Sequence, residues 1–188
     1  MKLIGSTTSP YVRKVRLLLE NVDYEFETLK ALSPEASSIL EKYGPVKRIP
    51  ILIDNGKHLF DSTIICEYLL EQKSIQLSID EKLTLKLIDE LCDACIALFQ
   101  QKIWKLDKRW QNEFSTRMLS RAFGILDLLE SLQAEGKLTS FQKDWLYCVL
   151  DWLSFRSVIN WIENHPCLSN FYDNSKSLSK YASTKLED

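Results

Sequence analysis

The sequence predicts two successive domains, an α/β domain followed by an all-helical one. Three observations carry that reading. Short alternating or β-branched runs at Lys2–Gly5, Tyr24–Thr28, Ile51–Ile53 and His58–Phe60 are interleaved with helical apolar spacing as far as Gln72. Beyond Ile79 the apolar residues recur at three- and four-residue intervals, the period of a helix. Between the two patterns, Lys73–Ile79 is a polar connector, so the expected domains cover 1–73 and 80–188.

Taken in order, Lys2 to Gly5 reads as the first strand. Pro10 suits the first position of the next helix, where its missing N–H would have no partner in any case, and Ser9 precedes it. Val12, Val15, Leu18 and Leu19 form the apolar face of that helix, which ends near Asn21. Tyr24–Thr28 alternates as a half-buried strand does. Ser33-Pro34-Glu35 opens a helix to about Tyr43. Ile51–Ile53 and His58–Phe60 flank Asp54-Asn55-Gly56-Lys57, and Asn-Gly favours the positive φ angles of a tight hairpin turn. Asp61-Ser62 then starts a helix through Ile64, Ile65, Tyr68 and Leu69, completing the order β-α-β-α-β-β-α.

In the helical half, a long helix from Glu81 to about Lys108 carries Leu83, Leu87, Leu91, Cys95 and Leu98. The next starts near Glu113 and carries Met118, Ala122, Ile125, Leu129 and Leu132, with Gly136 suited to a left-handed cap. Thr139 and Gln142 match a capping box, ahead of Trp145, Cys148, Val149 and Trp152 on one face.

Bulk properties narrow the function. The 188 residues are 45% hydrophobic and 27% charged, as in ordinary globular proteins. A net charge of -2 lacks the basic excess of a nucleic-acid binder. The apolar runs are too short to span a membrane, and the first residues too short for a signal segment, so a cytosolic protein is expected. Five cysteines, an odd number, argue against a disulfide framework. Cys92 and Cys95 form a C-x-x-C inside the long helix and read as small buried residues; no second pair completes a zinc site.

Three segments hold candidate chemistry: "TTSPYVRKVR", "YGPVKRIPIL" and "FDSTIICEYL". Ser9 stands where backbone N–H groups and the positive end of a helix dipole converge, a ready anion site. A thiol placed there is pushed toward thiolate, and a hydroxyl can donate a hydrogen bond to it. Ser9 also reads as a plain cap, and Thr8 is a rival hydroxyl. Lys47 and Arg48 are basic and lie just before Ile49-Pro50. Asp61-Ser62 is an ordinary helix start.

In order and spacing, these segments resemble the glutathione transferase superfamily, over nearly the whole chain and most strongly over 1–72. The resemblance is to small bacterial members whose first domain is thioredoxin-like. It implies an enzyme that conjugates the glutathione thiolate to a small hydrophobic electrophile, with glutathione as co-substrate and no metal. Ser rather than Cys at position 9 implies the thiolate-stabilising type, not the mixed-disulfide type. Ile49-Pro50 falls at the family's cis-proline turn, where the Ile49 backbone pairs with the glutathione peptide. Lys47 and Arg48 are implied for the glycyl carboxylate, and Asp61 and Ser62 for the γ-glutamyl end. Asp61 departs from the family's usual Glu, and Gln142 from the usual Asp of the helical half's capping box. "NHPCLSNFY" at 164–172 resembles the family's His-Pro-x-Leu ending. A hydrophobic substrate site is implied against Phe99, Ile103 and Trp104, and so is a homodimer. The same fold also serves binding or regulatory proteins with little catalysis, which stands as the alternative.

Overall fold

The computed structural model describes residues 1–30, 33–106 and 111–187. The chain divides into two compact units, and the first is discontinuous. It comprises Met1–Gln76 together with the segment from Leu178 onward, while Leu77–Ser177 forms the second. The helical stretch expected over 80–188 therefore does not pack as one body. Its last residues join the first unit because Tyr181 and Thr184, both buried, hold the Arg13 side chain there.

The first unit is built on a thioredoxin-like four-stranded sheet of order β2-β1-β3-β4, with β1 at Lys2–Gly5, β2 at Glu25–Thr28, β3 at Ile51–Asp54 and β4 at Lys57–Phe60. β2 runs parallel to β1, whereas β3 is antiparallel to both β1 and β4. The two central strands are buried on both faces, which is why Leu3-Ile4 and Ile51-Leu52 are continuous apolar pairs. Ile4 and Ile51 share one cluster with Leu29 and Leu40, closed by α2 at Pro34–Glu41. α1 at Pro10–Leu18 and α3 at Ser62–Gln72 pack on each other. The Tyr68 hydroxyl donates to Asp54 at 2.7 Å and ties α3 to β3. The hairpin turn is as expected, with positive φ at both Asn55 (49°) and Gly56 (78°). After α8, a single turn at Ser179–Ala182, the chain runs on to bury Thr184 and Leu186.

The second unit packs α4 (Ile79–Ile103) against α5 (Glu113–Ala134) and α6 (Ser140–Arg156), with α7 (Pro166–Ser175) on α5 and α6. α4 opens earlier than Glu81, because Ser78 and Glu81 form a capping box. It also closes before the expected Lys108, which lies outside the described residues. Lys105 turns left-handed at φ 58°, and the Leu106 amide donates back to the Gln101 carbonyl at 3.0 Å. Thr139 and Gln142 make both bonds of their box, so Gln serves where Asp is usual. α7 has no side-chain cap of its own. The Glu130 carboxylate accepts from the Cys167 and Leu168 amides instead, at 2.7 and 2.9 Å. Among the described residues no helix is long and apolar enough to cross a membrane.

Candidate functional site

Sheet register brings the three segments to one end of the first unit. Ile4 faces Ile51 across one ladder, and Ile51 faces Phe60 across the next. One residue further in the same register come Gly5, Pro50 and Asp61. The turn after β1, the approach to β3 and the start of α3 therefore leave the sheet side by side. Each then presents main-chain groups that no ladder uses.

The turn after β1 is held by Gly5 and by its own hydroxyls. A Cβ on Gly5 would lie 2.5 Å from a methyl of the buried Val12, so only glycine lets α1 pack this closely over the strand end. The Ser9 amide donates to the Ser6 carbonyl at 3.2 Å, leaving Thr7 and Thr8 at the corners. The Thr8 hydroxyl is 3.0 Å from that of Ser6, which is buried, and the two share a hydrogen bond. Ser9 is the N-cap of α1, its oxygen accepting from the Val12 amide at 3.3 Å. A hydroxyl accepts through lone pairs and donates through its proton, so this cap leaves the Ser9 proton for another acceptor. Thr8 and Ser9, inseparable in the sequence, thus differ in surroundings.

At the second segment the Ile49–Pro50 bond is cis. Pro50 is buried, and half-buried Ile49 packs against the cluster of Ile4, Leu40 and Ile51. Lys47 and Arg48 are both exposed and line a shallow hollow with Tyr43, Val46 and Phe60. Lys47 Nζ is paired with Glu41 at 2.9 Å, at the end of α2.

Asp61 is more than an ordinary cap. It sits at φ 69° and ψ 122°, a conformation side chains rarely adopt, and accepts from the Thr63 and Ile64 amides at 2.8 and 3.2 Å. Both bonds go to Oδ1, so Oδ2 takes no part in the cap. Ser62 is buried at the first position of α3.

His165 is the N-cap of α7 and is buried, with ring nitrogens 2.6 Å from the Trp161 carbonyl and 3.1 Å from Asp127. Cys92 and Cys95 are buried thiols, and burial pushes Cys95 up to about 12. Phe99 stacks edge-on against Trp152 within the second unit, while Trp104 is 57% exposed at the end of α4. Among the described residues no group of His, Cys, Asp and Glu could hold a metal ion. Sequence reasoning missed Gly5, Ser6 and Arg13. The Val12-Arg13-Lys14-Val15 run looks like charge on a solvated face, yet Arg13 is 1% exposed.

Three comparisons bear on this geometry. Residues 3–76 match the family model described as glutathione S-transferase, N-terminal domain. Over 98% of both chains, the protein is 28% identical to an uncharacterized GST-like protein, YibF, of Escherichia coli K12. A glutathione transferase family member from Pseudomonas fluorescens Pf-5, solved with bound glutathione, superposes with a TM-score of 0.85 at 24% identity, over 100% of this chain and 99% of that one. A glutathione S-transferase from Methylobacterium radiotolerans, in complex with glutathione sulfonate, gives 0.84 at 21% identity, over 100% and 95%. These two likenesses establish the shared fold.

Proposed function

We propose that the protein is a glutathione transferase acting on small hydrophobic electrophiles; the match of residues 3–76 to the glutathione S-transferase N-terminal domain and the shared fold support this reading. One observation carries the reading: the turn from Gly5 to the Ser9 cap, Ile49–Pro50 and Asp61-Ser62 leave the sheet side by side at one end. In this reading the backbone of Ile49 pairs with the peptide of glutathione. Ser62 and Asp61 take its γ-glutamyl carboxylate and ammonium, and Arg48, with Lys47 once released from Glu41, takes the glycyl carboxylate. The thiol then lies over the N-terminus of α1, where the dipole and the Ser9 hydroxyl favour the anion.

The thiol proton is lost to solvent, and the sulfur lone pair forms a bond to an electrophilic carbon. Either a leaving group departs with its electron pair, or an added carbanion equivalent takes a proton from water. Ser9 donates to the sulfur and is not itself deprotonated. Thr8, committed to Ser6, is the lesser candidate. A homodimer completes the proposal. Support for it is exposed apolar surface such as Phe60 and Ile64 on the first unit, 45% and 51% exposed.

The test is retention on glutathione resin, followed by a pH–rate profile with a generic aromatic electrophile. Ser9→Ala should lower turnover and raise the apparent pKa of bound glutathione with its affinity little changed, while Thr8→Ala does much less. The reverse pattern exchanges the two roles. Indifference to the resin points instead to a binding or regulatory protein on the same fold.

A further inference from the structure

The segment from Leu178 to Glu187 crosses α1 and reaches the turn that carries Thr8 and Ser9. It is fastened at three places. Arg13, one turn into α1, donates from Nε to the Thr184 hydroxyl at 3.2 Å and from Nη2 to the Tyr181 carbonyl at 3.0 Å. Arg16 donates to the Ser183 carbonyl at 3.1 Å. The Thr7 hydroxyl donates to the Glu187 carbonyl at 2.7 Å. Tyr181, Thr184 and Leu186 are each at most 5% exposed, so the segment is seated, not draped.

Each contact fixes part of the anion site. Thr7 is a corner of the turn closed by the Ser9 amide on the Ser6 carbonyl. Its neighbour Thr8 is tied only a short way off, to Ser6. Among the described residues, the Thr7 side-chain bond is the one that leaves this turn for a distant part of the chain. Arg13 acts on the same turn from the helix side, since its amide donates to the Ser9 carbonyl at 3.0 Å. A buried guanidinium with fixed partners locks the first turn of α1 in rotation about its axis. Hydroxyl and backbone donors stabilise an anion only when they are already aimed at it.

We propose that residues 178–187 are a positioning element for the proposed thiolate site, acting through Thr7 and Arg13. None of these residues needs to touch glutathione. The inference rests on the glutathione transferase reading for its chemistry, but not for its mechanics, and the two can fail separately.

The experiment uses the full chain with Thr7→Val, Thr7→Ser and Thr184→Val. The first and third are nearly isosteric and remove one hydroxyl each, and the second restores the donor. Amide hydrogen exchange at residues 6–12 should quicken by about 3- to 10-fold in both Val variants, the factor one lost hydrogen bond carries. Exchange in α3 should stay as in the wild type, and Thr7→Ser should restore protection at the turn. The ultraviolet signature of the thiolate in bound glutathione should titrate at higher pH in the Val variants, with glutathione KM within about twofold. Unchanged exchange at residues 6–12 in both folded Val variants overturns the positioning role. Faster exchange with an unmoved thiolate titration overturns its link to catalysis. If the wild type itself gives no thiolate signal with glutathione, the transferase reading and that link fall together, and exchange alone judges the mechanics.

Discussion

Asp61 separates helix capping from ligand binding through three substitutions. Its side chain satisfies two amides at the start of α3, and its backbone is held at φ 69°. Asp61→Asn keeps the shape, the capping oxygen and a tolerance for positive φ, so stability should change by less than ~0.5 kcal/mol. Asp61→Ala loses the cap, about 1 kcal/mol, and keeps the Cβ at positive φ that the wild type already carries. Asp61→Gly loses the same bonds but adopts this φ at no steric cost, so it should be distinctly more stable than Asp61→Ala. All three lose the carboxylate charge. Each should therefore weaken glutathione by about 1–3 kcal/mol, roughly 5- to 150-fold in Kd. Urea denaturation gives the first set of numbers and isothermal titration with glutathione the second. If Asp61→Asn binds glutathione as the wild type does, the carboxylate is a cap only and leaves the proposed site. If the Ala and Gly variants are equally unstable, the positive φ is not the source of the cost.

Two further outcomes follow from the packing and the caps. Gly5→Ala should destabilise the first unit by about 1–3 kcal/mol, because the new methyl meets Val12, a buried and stiff neighbour; thermal melting that matches the wild type would refute the close approach. Glu81 is held below the usual carboxylate range by hydrogen bonds from the Ser78 amide and hydroxyl. Its stabilisation is therefore present above the ordinary value of ~4.3 and is lost as pH falls through the lower folded value. The stability gap between wild type and Glu81→Gln should narrow from pH 6 toward pH 3 in denaturant titrations. A gap constant with pH would mean that Glu81 is not ionised in its box.

Local chemistry explains what was legible in the sequence. The hairpin, the Gly136 cap (φ 67°) and the Thr139 box each depend on two to four consecutive residues, and each formed as those residues require. The Ser78–Glu81 box was equally local, but lay at the end of a polar stretch whose alternating Ile and Leu suggest no helix. The end of α4 had no such marker, since Lys105 adopts a left-handed conformation that composition does not announce. At the candidate site, the segments could be recognised and Asp61 read as a cap. Its φ could not, because an Asp before a helix has the same sequence signature in either conformation. Arg13 was hidden for a different reason: its partners lie 168 and 171 residues away, beyond the reach of any periodicity.

That separation also sets a timetable. The first unit needs residues that are translated only after the whole of Leu77–Ser177. At about 5–20 residues per second, a hundred-residue insertion delays them by roughly 5–20 s. During that interval the sheet, α1 and α3 are already made, yet Thr7, Arg13 and Arg16 have nothing from 178–187 to hold. The nascent chain can build its helical unit before the turn at Thr7 is fastened, so a turn translated ahead of that unit is completed after it.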